Sequence, residues 1–478
     1  MGFLPASLHL DSLQRLVPSW FKPKNTTNVR FLVYGILLGF SFSLTATSFI
    51  LYYREKRQRE MTSRFKPRRI ELRSDEIVHG VTGLIGNTPL IRIASLSNAL
   101  GVNILGKAEF LNPGGSVKDR VALRIVEDAE QQGLIHPHTR SRIFEGTVGS
   151  TGISIATIAK ARSIIMPDDI ALEKVNALRC LGATVERVRP VSIVDTKHNI
   201  ARQHAASFGK HGTEGSLSHH LIQSTESVLV TTTMGLVPPR GDGVDHSGDN
   251  VKLEVEPRGF FADQFENRSN FDAHFEGTGP EIWRQTNGAV DAFVAGAGTG
   301  GTISGVGQFL KSVKEDVKIV LADPEGSGLY NKVKYGVMFD RREAEGTKRR
   351  HQVDTVVEGI GINRGVKNFQ LALPIIGDGF RITDAEAVSM ARFLVEKDGL
   401  FVGSSSACNL VAAVRYVKKM GWKDGQTVVT ILCDSGNRHY SKFWNDEYLL
   451  SAGIPIDTQI IKDLLREPIF ETQPASRE

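Results

Sequence analysis

Lys107–Arg120 reads KAEFLNPGGSVKDR, a stretch in which one lysine stands where a helix is expected to begin. Asn112-Pro113-Gly114-Gly115 carries turn residues, Ser116 is a favoured N-cap residue, and Val117, Val121, Ile125 and Val126 then recur at helical spacing. Lys118 therefore falls in the first helical turn. Unpaired N–H groups and the helix dipole disfavour a cation there. Its ammonium is expected to titrate low, and a lysine held as a neutral amine is suited to Schiff-base chemistry. A surface lysine bent into water satisfies the same local pattern, so its company decides.

Three further segments carry chemistry. Gly296-Ala297-Gly298-Thr299-Gly300-Gly301 follows a strand-like run and opens a helix. Its glycines let backbone N–H groups approach an anion at a helix N-terminus, and Thr299 and Thr302 add hydroxyls. The pattern also matches the dinucleotide fingerprint GxGxxG, with Asp323 after the next strand near where a ribose-binding acid would lie. That reading, an NAD-dependent dehydrogenase, leaves Lys118 and Ser435 unexplained. Thr147–Gly152 (TVGSTG) precedes the helical stretch Ile153–Ala161 and offers N–H groups and hydroxyls to a second anion. Ser435 follows the strand-like Val428–Cys433, a position that is also an ordinary turn.

The elements that would position these residues alternate. Short apolar runs (Val102–Leu105, Val185–Val188, Ala292–Ala295, Val317–Leu321, Val428–Cys433) are interleaved with helical stretches (Val121–Gln132, Ile153–Ala161, Ile303–Lys311, Asp384–Glu396), which predicts an α/β fold with parallel sheet. Only Ser163 separates the helix expected to end near Arg162 from the strand-like Ile164–Met166. That is shorter than such connections need, so a truncated strand or lost coding sequence is expected. A polar insertion without periodicity occupies 212–257.

With Gly86-Asn87-Thr88-Pro89-Leu90 upstream and Cys433-Asp434-Ser435-Gly436-Asn437 near the end, these motifs in this order resemble the cysteine synthase (O-acetylserine sulfhydrylase) family of pyridoxal-phosphate enzymes over roughly Asp75 to Asn445. The resemblance, to a membrane-anchored fungal-type member, implies a two-lobed α/β fold of fold type II, tryptophan synthase β-like, with the cofactor between the lobes. It implies that Lys118 holds pyridoxal 5'-phosphate and that Gly298, Thr299, Gly300, Gly301 and Thr302 take its phosphate. It implies further that Ser150 bonds the ring hydroxyl, Ser435 meets the pyridine nitrogen, Thr147, Ser150 and Thr151 receive the substrate carboxylate, and Gly359 lies in a segment closing over the substrate amine. O-Acetyl-L-serine would exchange acetate for sulfide to give L-cysteine, in a homodimer. The family's TSGNTG reads Thr147-Val148-Gly149-Ser150-Thr151-Gly152 here, so one hydroxyl is replaced by Val148 and an asparagine by Ser150. Those changes bear on substrate preference and turnover. A cystathionine β-synthase-like enzyme and a cofactor-binding non-catalytic relative are the alternatives.

Of the 478 residues, 41% are hydrophobic and 23% charged, an ordinary globular composition. The formal charge of +5 is local: residues 1–73 hold 13 Lys+Arg against 4 Asp+Glu, and the remainder 45 against 49. No basic stripe marks a nucleic-acid binder. Cys180, Cys408 and Cys433 are far apart and suit a reducing compartment as small apolar residues, and no histidine grouping predicts a metal site. After a tail at 1–30, residues 31–53 are 23 without a charge, long enough to span a bilayer as a helix in contact with lipid. The basic linker 54–76 follows, with eight basic and two acidic residues between Arg54 and Arg69. The positive-inside rule then puts the catalytic domain, 77–450, on the cytosolic side, with the mitochondrial outer membrane preferred to the endoplasmic reticulum. Residues 451–478 form the C-terminal tail, expected to hold a peripheral helix.

Overall fold

Ten strands build two sheets among the described residues. The structure, a computed structural model, describes 77–137, 139–168, 170–189, 199–209, 257–340 and 355–467, with scattered residues between Gly39 and Tyr52. The expected span 31–53 lies largely outside the described residues, and 1–30, 54–76, 212–256 and 468–478 lie wholly outside them. Among the described residues no helix is long and apolar enough to cross a membrane.

The larger sheet has six strands in the order β1-β2-β10-β7-β8-β9, with β1 (Leu90–Arg92) antiparallel to β2 (Asn103–Ala108). The other neighbours, β10 (Thr427–Leu432), β7 (Ala292–Gly296), β8 (Lys318–Pro324) and β9 (Ile376–Ile382), run parallel. A parallel sheet needs cover on both faces. Part of that cover is the helix Ser404–Met420, most of whose residues are buried against Val294, Val320 and Val428. The smaller sheet is a parallel set of four, β5-β4-β3-β6, made from β3 (Arg142–Gly146), β4 (Arg162–Pro167), β5 (Thr184–Val188) and β6 (Gly259–Phe261). Val121, Ile125, Ile143, Ile155, Ile164 and Val175 form its core. The predicted α/β alternation thus resolves into two lobes.

The expected strand truncation is corrected here. The helix Ser150–Ile158 stops three residues short of Ala161, and Ala159 is already extended, so 159–161 make the connection. β4 is six residues long and pairs with β3 and β5. Arg162 turns its guanidinium back onto the carbonyls of Ala159 and Lys160, supplying donors at the helix end. Near the C-terminal end of the described residues, the expected peripheral helix is Gln459–Arg466, seated through Ile461 on the helix Asp384–Asp398.

Candidate active site

The carboxyl edges of β2, β3, β7 and β10 all open toward one cavity, the position where parallel α/β sheets collect their ligands. β2 leads through Asn112–Gly115 to Lys118, the first residue of the helix Lys118–Gln131. Ser116 does not cap that helix at its N-cap position, which Val117 occupies, but its hydroxyl still accepts the Lys118 N–H at 3.3 Å. The Val117 N–H donates to the Cys433 carbonyl at 2.9 Å, and Ser116 pairs with Asp434 in an antiparallel bridge, so the Lys118 loop is stitched to the end of β10. Lys118 lines the cavity. Burial lowers its ammonium pKa against the opposing pull of Cys433 and Asp434. The direction agrees with the sequence reading, but burial is its largest cause.

Behind that helix start lies a buried ionic cluster. Arg120 bonds Glu109 and Glu281, each at 2.7 Å, and Lys107 reaches Glu281 at 2.7 Å. Burial works to raise the Glu281 carboxyl, but Arg120 and Lys107 overcome it and hold the group well below the usual carboxylate range. Asp119 accepts from the Gly114 N–H and the Ser154 hydroxyl, fixing the turn before Lys118 to the helix Ser150–Ile158.

Opposite Lys118, β7 leads into Gly296–Thr302 and the helix Gly301–Val313. Gly300 has φ 85°, and a Cβ there would lie 2.5 Å from the Phe369 backbone. A Cβ on Gly298 would lie 2.4 Å from the Gly359 carbonyl. The glycines permit these close backbone approaches, and Gly298, Thr299, Gly300 and Thr302 line the cavity at a helix start, the end of a helix that favours an anion. Asn270 donates to the Thr299 hydroxyl at 2.8 Å, and the Thr302 hydroxyl lies 3.2 Å from His274 Nε2. Burial drives the His274 pKa down to about 3, with Lys118 and Arg120 adding to it, so the ring is neutral. Asn409 clamps two strand ends, accepting from the Gly296 N–H at 2.7 Å and donating to the Ile431 carbonyl at 2.9 Å.

Of the residues expected at the site, Lys118, Ser150, Gly298, Thr299, Gly300, Thr302 and Gly359 line the cavity together. Four others do not line it. The Thr147 hydroxyl accepts the Gly149 N–H at 3.1 Å, and Thr151 donates its hydroxyl to Gln264. Gly301 packs on Asn270. Ser435 does not line the cavity: β10 ends at Leu432, Ser435 pairs with Val402, and its hydroxyl accepts the Asn437 N–H at 3.3 Å. Cys433 and Asp434 hold the wall there. Cys433, read from sequence as an ordinary apolar residue, carries a thiol that burial pushes up to about 11.

Asp323 is also placed differently from a ribose ligand. It is fully buried, accepts the Tyr330 N–H at 2.7 Å, and burial raises its carboxyl to about 7. The dinucleotide reading thereby loses its acid.

Sequence reasoning missed Lys174, Glu358, Asp434 and His439, all on the cavity wall. His439 Nε2 lies 3.1 Å from Asp434 Oδ2, and Lys174 pairs with Glu358. Burial works to raise both carboxyls, but His439 holds Asp434 low and Lys174 holds Glu358 low. One signal was available, since Glu358 directly precedes the Gly359-Ile360-Gly361 segment.

Lys118 and a glycine-rich helix start line one cavity at the carboxyl edges of the strands, an arrangement that can hold an anion beside an amine. Residues 81–434 match the family of pyridoxal-phosphate dependent enzymes (PALP), and the chain belongs to that family. It is 50% identical over 386 residues to cysteine synthase 2 of Schizosaccharomyces pombe, covering 80% of this chain and 87% of the relative. A Saccharomyces cerevisiae relative, a cysteine synthase whose name carries the word mitochondrial, is 47% identical over 388 residues, with 80% and 88% covered. Among solved structures, the O-acetylserine dependent cystathionine beta-synthase of Helicobacter pylori superposes with a TM-score of 0.57 at 26% identity, over 77% of this chain and 98% of that one.

The residues present fit pyridoxal 5'-phosphate. A cradle that a Cβ at Gly298 or Gly300 would disturb faces the cavity with two threonine hydroxyls, which suits a terminal phosphate. Lys118, its charge disfavoured by burial, would be the amine for the carbonyl.

Proposed function

We propose that this chain is a cysteine synthase that replaces the acetoxy group of O-acetyl-L-serine with sulfide, giving L-cysteine and acetate. The observation that carries the reading is that Lys118 and the Gly298–Thr302 helix start face one cavity at the carboxyl edges of the sheet. Relatives that carry the name cysteine synthase at about half identity support the choice of reaction.

Lys118 would hold the cofactor covalently, and Gly298, Thr299, Gly300 and Thr302 would bind its phosphate. When bound, pyridoxal phosphate supplies an electron sink for the charge left at the substrate Cα. Lys118 Nζ would take the Cα proton and return it to Cα after acetate has left Cβ and sulfide has added there. Burial of the ammonium favours the neutral base this requires. Ser150, on the cavity wall, would bond the ring hydroxyl or receive the substrate carboxylate. Thr147 holds the turn behind it, and Thr151 fixes the helix to Gln264. Gly359, on the cavity wall beside Gly298, closes over the substrate amine.

The deciding experiment is the visible spectrum of the purified full chain with pyridoxal phosphate. A yellow band that O-acetylserine shifts and sulfide restores, with cysteine released, supports the reaction. A band indifferent to O-acetylserine refutes it. A second reading, cystathionine formation from an amino-acid thiol, draws on the likeness to the Helicobacter pylori enzyme. Homocysteine in place of sulfide tests it.

The uncharged run 31–53 with its basic flank supports a single membrane anchor, with the catalytic unit facing the cytosol from the mitochondrial outer membrane. Alkaline carbonate extraction and protease access on isolated mitochondria test that placement. A homodimer is the assembly inferred from the family resemblance, and sedimentation tests it.

A further inference from the structure

Lys174 and Glu358 meet across the cleft, and the reaction as described uses neither. Lys174 is on the helix Leu172–Cys180 between β4 and β5 of the four-stranded lobe, and Glu358 is in the six-stranded lobe directly before Gly359. Their side chains form an ion pair although only 3% and 14% exposed. Such a pair must offset the desolvation of two charges, so its presence on a ligand-cavity wall calls for a use.

The path of Lys174 indicates that use. Its aliphatic stem lies on Gly149, where φ is 124° and an added Cβ would fall 2.7 Å from Lys174 Cδ. The stem thus runs against the Thr147–Ser150 loop, and Lys174 lines the cavity together with Val148 and Ser150. In that loop Val148, 42% exposed on the cavity wall, offers no hydrogen bond from its side chain. Glu358 has a second cation near, Lys442 Nζ at 3.8 Å, and the His439 ring lies beside it with Nδ1 at 3.9 Å. Its backbone is fixed independently, with the N–H donating to the Ser404 hydroxyl at 3.0 Å. Lys174 can therefore change partners while Glu358 keeps the Lys442 ammonium nearby.

We infer that Lys174 is the cation that pairs with the α-carboxylate of the amino-acid substrate, exchanging Glu358 for it. The ion pair is then the resting state of the carboxylate site, and substrate entry unties one contact between the lobes. Glu173, next to it, keeps a second contact, accepting from the Ser441 N–H and hydroxyl at 3.1 Å each. This rests on the reading of the substrate as an amino acid.

The test uses the cofactor-loaded full chain and two ligands without a leaving group, L-alanine and L-alaninamide, titrated by the change in cofactor absorbance. A charge-assisted contact predicts that Lys174→Gln raises the dissociation constant of alanine by about ten- to a hundredfold and leaves alaninamide within about twofold. Lys174→Arg restores most of the alanine affinity. Glu358→Gln leaves alanine binding equal or tighter, because the ammonium is released. The proposal is overturned if Lys174→Gln weakens both ligands alike, or if Glu358→Gln weakens alanine as Lys174→Gln does, the signature of a pair that only holds the lobes. Should Lys174→Gln fold poorly, the Glu358→Gln result decides by its direction. Discrimination of alanine from alaninamide with no cysteine formed would defeat the reaction proposed above while sparing this one.

Discussion

Glu281→Gln tests whether the cluster behind Lys118 is held by charge or by packing. Glu281 is the carboxylate shared by Lys107 and Arg120, each at 2.7 Å, and it also accepts the Asn87 N–H at 2.9 Å. Its neutral replacement leaves two buried cations facing Glu109 alone. Removing one partner from a buried ion pair costs about 3–5 kcal/mol, so a loss of that order is expected near pH 6. Arg120 cannot shed its proton, but Lys107 can: burial already lowers its pKa, and Glu281 is the largest force opposing that. Without Glu281 the folded-state pKa of Lys107 falls further below its unfolded value. Above that folded pKa the unfolded chain binds more protons than the folded one, so the variant's stability rises with pH. The deficit against wild type should therefore shrink between pH 6 and pH 9. Adding Lys107→Met should recover much of the loss at pH 6, since removing both partners avoids the unpaired charge. Chemical denaturation at the two pH values measures all three proteins. A deficit under about 1 kcal/mol, or one that is the same at both pH values, would refute the ionic account.

Lys118→Ala should remove the visible cofactor band that depends on the covalent link and slow turnover by at least about 10²–10⁴-fold, measured by spectrum and cysteine release. Gly300→Ala forces a side chain into a backbone at φ 85° and against Phe369, so it should weaken pyridoxal phosphate binding and destabilise by about 1–3 kcal/mol, read by equilibrium dialysis and denaturation. Asp323, raised by burial to about 7, binds a proton in the folded state that the unfolded state releases near its ordinary 3.8. Its contribution is complete below that lower value and is lost as pH rises through about 7. Wild type should accordingly lose more stability between pH 5 and pH 8 than Asp323→Asn, and equal slopes in paired denaturation curves would contradict the buried placement.

Much of this site is written locally, because a turn, a helix start and a glycine-rich bend each depend on residues within a few positions. Asn112–Gly115 before Lys118, and Gly296–Thr302 after an apolar strand, could be read in that way, and the structure sets both on one cavity. The alternation of apolar runs and helical stretches likewise specifies parallel α/β architecture, since the burial periods of strand and helix differ. The direction of the Lys118 pKa shift was legible, but its main cause was not. A helix start is local, whereas burial depends on what packs above it.

What only the tertiary structure decided are the pairings between distant segments. Lys174 with Glu358 at the cleft and Lys107 with Glu281 join residues whose types are common and whose spacing carries no period. Where Cys433, Asp434 and Ser435 lie depends on where β10 stops and on two bridges beyond the sheet, Asp434 with Ser116 and Ser435 with Val402. The short connection after Ile158 was resolved similarly, because pairing with β3 and β5 fixes where β4 begins and the helix yields its last residues to reach it. Local sequence sets backbone preference at each segment, while the partner that completes a charge or a strand is chosen by which segments the sheet order brings side by side.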